Sequence, residues 1–180
     1  MRIFGIDPGS ERTGFGCIES IDGRHRLVVC GALGGAAGAT FPEKLKAIHA
    51  GLREMLDRHR PDCVAIEDIF YARNVRSALR LGHARGVAIL AACEAGLPIA
   101  EYAPAEIKRA VVGYGRAEKP QVQQMIKLLL GLEAVPTPHD AADALAVAVC
   151  HLHHGTGAIA ERTRAERVPT AARSWRAYRP

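Results

Sequence analysis

Apolar and polar positions alternate between two periods along the chain, and the switches mark its elements. Ile3-Phe4-Gly5-Ile6 is an apolar run that stops on Asp7. A short apolar run bounded by a turn signal predicts a buried strand. Pro8-Gly9 turns the chain directly after the carboxylate. Thr13–Ile18 predicts the second strand of a hairpin, and Leu27–Leu33 a third strand. The period then lengthens. Leu45, Ile48, Leu52 and Leu56 recur at helical spacing within Phe41–His59, and Pro61 stops that helix. Cys63–Glu67 repeats the opening design, an apolar run that ends in an acid. A helical crossover between two such strands favours a parallel pair, which brings both acids to one edge of one sheet.

Phe70–Arg76 is an aromatic and basic loop directly after that second acid. Ser77 is the predicted N-cap of a long helix, Ala78–Ala95, rich in alanine and carrying Gly82 and Gly86. Such small residues allow close packing, either on the sheet or along the seam of a symmetric dimer. Pro98–Tyr102 predicts a strand and Pro104–Val112 a short helix. After the basic loop Gly113–Pro120, Pro120 at the first helical position opens a helix over Gln121–Leu130. Thr137-Pro138-His139-Asp140 predicts another helix start: Thr137 as N-cap, Pro138 as first residue and Asp140 reaching back to the cap. That helix runs through Ala141–His151.

Composition narrows the class. A chain of 180 residues, 48% hydrophobic, suits one core. The periodic pattern predicts one domain over 1–155 and a basic tail over 156–180, which reads as disordered. The tail holds six arginines against two glutamates, so it carries four of the five net positive charges. The body is near neutral, and any binding surface for an acidic partner must be a local patch. No apolar run is long enough to cross a bilayer and no signal-peptide pattern opens the chain, which predicts a cytoplasmic protein. The five cysteines are odd in number, widely spaced and without a CxxC pair, so they read as reduced core residues.

Asp140 and Asp143 share a helix face, being three residues apart. Each acid alone has an ordinary explanation: Asp7 as part of a turn, Asp140 as a helix cap. Together Asp7, Glu67, Asp140 and Asp143 form a constellation of oxygen donors that suits hard divalent ions such as magnesium. A pair of such ions, roughly 3.5–4 Å apart, activates water and stabilises a leaving oxygen in phosphodiester cleavage. His139, four residues from Asp143, lies near the same face and is an alternative ligand. Arg73, Asn74 and Arg76 beside the second acid, and Lys119 in the later basic loop, are local clusters that could contact an acidic partner, and Phe70 suits stacking on an unpaired base.

Gly5-Ile6-Asp7-Pro8-Gly9 with Thr13-Gly14, Ile66-Glu67 and Asp140-Ala141-Ala142-Asp143-Ala144-Leu145-Ala146 resemble the RuvC family of bacterial Holliday-junction resolvases. So do Ser77-Ala78-Leu79, Gly82–Ala88, Val111-Val112-Gly113 and Ala117-Glu118-Lys119. The resemblance covers about residues 1–154. It implies a ribonuclease-H-like α/β fold, a five-stranded mixed sheet flanked by helices, working as a homodimer. It implies that the four acids bind Mg2+, or Mn2+ in its place, with two ions per site. The substrate it implies is a four-way DNA junction cut on two opposed strands, in recombination and repair, with the RuvA–RuvB branch-migration complex as partner. Phe70 matches the aromatic that contacts a base near the crossover in that family, and Lys108 and Lys119 match two lysines near the scissile phosphate. Two other readings use the same residues: an actin-like or sugar-kinase-like ATPase of one domain, and a junction-binding module without catalysis. The first needs a second copy of the domain around a nucleotide, and the second needs no acid cluster.

Overall fold

Three strands in succession, β1 (Arg2–Asp7), β2 (Arg12–Ile21) and β3 (Arg24–Gly34), pair antiparallel as a meander. After them the computed structural model, which describes residues 1–68 and 74–155, alternates helix and strand. These elements are α1 (Phe41–His59), β4 (Cys63–Glu67), α2 (Val75–Glu94) and β5 (Ile99–Tyr102). Three helices follow: α3 (Pro104–Val112), α4 (Lys119–Leu129) and α5 (His139–His154). The strand order is β3-β2-β1-β4-β5. β4 lies parallel to β1 and β5 parallel to β4, which makes the mixed five-stranded sheet of the ribonuclease-H-like fold.

Alternation along the strands builds two cores. Phe4, Ile6, Val64 and Ile66 point to one face and pack with Ile48 and Leu52 of α1 and Ala88, Ala91 and Ala92 of α2. Ile3, Cys63 and Ala65 point to the other face, against α3, α4 and α5. Ile6 pairs with Ile66, so Asp7 and Glu67 leave neighbouring parallel strands side by side. Two residues beyond Gly5 and Ala65 respectively, both acids turn to the face that carries α5.

α5 lies unusually low on that face. A Cβ added to Gly5 would stand 2.1 Å from the Ala144 carbonyl oxygen, and one added to Gly14 2.0 Å from that of Asp140. The helix backbone itself rests on the strands there. Ala141, Ala142, Ala144 and Ala148 are buried along the same helix and allow the approach.

Some expected boundaries move. α2 is capped by Asn74, whose side-chain oxygen accepts from the Ser77 amide at 2.8 Å, so Ser77 is not the cap and Arg76 belongs to the first helical turn. Asparagine and serine are comparable caps, and packing chose the earlier one. α4 begins at Lys119, with Glu118 as N-cap and its amide bonded to Gln121 Oε1 at 2.9 Å. α5 begins at His139 because Pro138 keeps extended backbone angles, φ −67° and ψ 171°. Pro138 is therefore the N-cap, and no side-chain bond from Asp140 to Thr137 caps the helix. All five cysteines are free, and Cys93 is exposed rather than in the core because it stands on the outer side of α2, next to buried Ala92. No described helix is long and apolar enough to cross a membrane.

Candidate active site

Asp7 and Glu67 end β1 and β4, Asp143 comes from the second turn of α5, Lys108 from α3 and Lys119 from α4. Their side chains line one small open pocket of about 110 Å³, walled by the apolar Ile107 and Val122. Residues separated by as many as 136 positions in the chain thus meet at one sheet edge, held by strand ends and helix turns rather than by loops.

The pocket is short of positive charge. Burial raises the Asp7 carboxyl to about 9, helped by its hydrogen bond with Glu67 and by the charges of Glu67 and Asp143, while Lys119 opposes the shift. Glu67 is raised too, mainly by burial. Like charges in one desolvated site each make the other harder to ionise. Lys119 Nζ donates to Asp143 Oδ2 at 2.9 Å, where the Asp143 side chain is only 16% exposed. That bond holds the ammonium above its ordinary range. Among the described residues no three ligating side chains stand close enough together to hold an ion in this conformation. Oxygen-only donors that need added positive charge fit a hard divalent cation.

The family model for "Crossover junction endodeoxyribonuclease RuvC" matches residues 3–151. The chain belongs to the RuvC family. A RuvC crossover junction endodeoxyribonuclease of Pelotomaculum thermopropionicum is 50% identical over 156 residues, which cover 87% of this chain and 95% of that protein. The one from Koribacter versatilis is 56% identical over 155 residues, 85% of this chain and 93% of its own. Among solved structures, Thermus thermophilus RuvC in complex with a Holliday junction substrate superposes with a TM-score of 0.77 at 34% identity. That match covers 86% of this chain and 94% of the Thermus chain.

Of the residues that the sequence of this RuvC-family chain singles out, Asp7, Glu67, Asp143, Lys108 and Lys119 come together. Asp140 does not line the pocket. It sits half-buried in the first turn of α5, its backbone carbonyl over Gly14. His139 is exposed, and its Nδ1 is bonded to Gln123 Nε2 at 3.0 Å, which ties the ring to α4. Sequence reasoning missed Gln123: its only signal is a polar residue between Val122 and Ile126 on a buried helix face. Arg76 is exposed at the start of α2, and Asn74 spends its oxygen on the cap. Phe70, Arg73 and the tail over 156–180 lie outside the described residues.

Proposed function

We propose that this chain is a structure-specific endonuclease that resolves four-way (Holliday) DNA junctions by nicking two opposed strands symmetrically. The observation that carries the reading is the convergence of three acids and two lysines on one pocket, in a chain of the RuvC family. The Thermus relative is seen with the same class of substrate. Asp7, Glu67 and Asp143, joined by Asp140, are the residues that would hold magnesium or manganese, two ions per site. Bound there, the metal supplies Lewis-acid activation of water and stabilises the leaving oxygen. The chain's own part is to present the carboxylates on rigid elements and to ionise them as the metal binds. Lys119, once released from Asp143, and Lys108 face the scissile phosphate. Residues 1–155 form the nuclease domain in this reading, which also puts the protein in the cytoplasm, in recombination and repair, beside the RuvA–RuvB branch-migration complex.

A nicking assay on a synthetic four-way junction tests it. Paired symmetric nicks in magnesium and none in chelator are expected. Binding without cutting in either metal would leave a junction-binding module. ATP hydrolysis without nicking would leave the ATPase reading.

Three further outcomes follow from single residues. Asp140→Asn should remove most single-turnover cleavage in magnesium and His139→Ala should leave a large share, because carboxylate suits this ion better than imidazole and the ring is already held by Gln123. The reverse ranking would make histidine the ligand. Lys119→Ala should weaken junction binding and lower its salt slope by up to about one log unit per log unit of salt, as for one lost phosphate contact. An unchanged slope would exclude that contact.

Two opposed cuts require two sites related by a two-fold axis, and α2 offers the seam. Val75, Leu79 and Leu90 are 76%, 60% and 50% exposed, and Gly82 and Gly86 complete that stripe with open space before them. Buried Ala84 and Ala88 hold the opposite side of α2 to the sheet. Gly86→Leu should give a monomer, or a far weaker dimer, in sedimentation. Full dimer and full activity would put the seam elsewhere.

A further inference from the structure

Glu67 ends β4 and Asp68 follows it in extended pairing with Tyr102, so their side chains leave opposite faces of the sheet. Glu67 enters the acid pocket, whereas Asp68 turns to the α2 face. Glu101 on β5 turns to that face as well, two residues beyond Ile99, which packs in the α1–α2 core. Ile66 pairs with Glu101, so Asp68 is its diagonal neighbour on the same face. Two carboxylates so placed repel each other and loosen the strand end. Arg85 of α2 answers both: its Nη2 stands 3.2 Å from Asp68 Oδ1 and 2.6 Å from Glu101 Oε2. The Arg85 side chain is mostly covered, 22% exposed, and its buried Nε finds no acceptor among the described residues. A charged group desolvated this far is placed for its ion pairs, not for solvent. The Asp68 amide bonds the Tyr102 carbonyl at 2.8 Å, which carries the β4–β5 pairing past Glu67.

We propose that Arg85 is a positioning residue for Glu67: by neutralising Asp68 and Glu101 on the α2 face, it holds the end of β4 in the alignment that sends Glu67 into the pocket on the other face. Arg85 does not line the acid pocket. Its effect passes through two consecutive backbone units. The inference rests on the reading of Glu67 as a member of the cleavage site.

The test uses the full-length protein, a synthetic four-way junction, and magnesium alone as the metal probe. Arg85→Met should slow single-turnover cleavage about tenfold or more and raise the magnesium concentration for half-maximal thermal shift by a similar factor, the usual cost of losing a residue that orients a ligand. Junction affinity and its salt slope should stay at wild-type values. Asp68→Asn and Glu101→Gln added to Arg85→Met should restore both cleavage and the magnesium response, because the neutral trio no longer repels. Wild-type cleavage and magnesium response in Arg85→Met would overturn the inference. So would a weaker affinity with a flatter salt slope, which would make Arg85 a phosphate contact. If Arg85→Met fails to fold, the triple variant decides, and its failure to fold or to cleave overturns the neutralising role. Glu67→Gln runs alongside: wild-type cleavage there would remove the site reading itself, separately from Arg85.

Discussion

Asp7→Asn should cut junction cleavage by at least about 10²-fold, the scale of removing one preorganised charged group from an active site. Junction affinity should survive, since phosphate contacts supply most of it. The same substitution should raise the stability of the metal-free protein at alkaline pH. The folded carboxyl titrates at about 9, far above its ordinary value. Between those two values the native state binds a proton that the unfolded chain has released, so stability falls as pH rises through that window. Asparagine removes the titration. At pH 8.5 without metal, Asp7→Asn should melt at least about 3 °C above wild type, which corresponds to roughly 1 kcal/mol at this chain length. Magnesium should then stabilise wild type by binding only the folded form, and stabilise the variant far less. Thermal melts at pH 5.5 and 8.5, with and without magnesium, read all three effects. A wild-type cleavage rate in Asp7→Asn would refute the site, and a metal-free melting temperature that climbs from pH 5.5 to 8.5 would refute the raised Asp7 carboxyl.

Gly14→Ala should damage fold and function together. The new methyl would stand 2.0 Å from the Asp140 carbonyl oxygen and 2.6 Å from its carbon. Those atoms are helix backbone and cannot swing aside as a side chain would. The first turn of α5 must lift, and Asp143 rides on the next turn. Overpacking of this kind costs about 1–3 kcal/mol, or more. For a chain of this size that lowers the melting temperature by roughly 3–10 °C. Cleavage, measured well below the melting point, should fall at least about 10²-fold, the scale on which an ångström of misplacement acts. A variant that melts and cuts like wild type would show that α5 does not rest on β2 as described.

Where punctuation in the chain is sharp, structure follows it residue for residue. Phe41–His59 and Pro104–Val112 are helices and Cys63–Glu67 a strand over the spans that periodicity, proline and the terminal acid predict. The pairing of Asp7 with Glu67 was legible too, because a helical crossover between two apolar runs leaves little choice but a parallel pair. Helix starts were less legible. Asn74 and Ser77 compete as caps, as do Thr137 and Pro138, and each is a local preference of about 1 kcal/mol or less that packing can reverse.

The acids themselves, the lysines and the family motifs are all in the sequence, since chemistry is carried by residue type. Which of them meet is not. Spacing put Asp140 and Asp143 on one helix face with His139 close by, yet only Asp143 lines the pocket, while the Asp140 backbone rests over Gly14. The tether of His139 to Gln123 spans two helices, and the bridge from Arg85 to Asp68 and Glu101 spans a helix and two strand ends. Gly5 and Gly14 look like weaknesses in strands until α5 is laid across them. Turns, periods and caps act over a few residues and are written locally. The raised carboxyls of Asp7 and Glu67, the bond from Lys119 to Asp143 and the seat of α5 arise from groups far apart in the chain, and only register and packing bring those within a few ångströms.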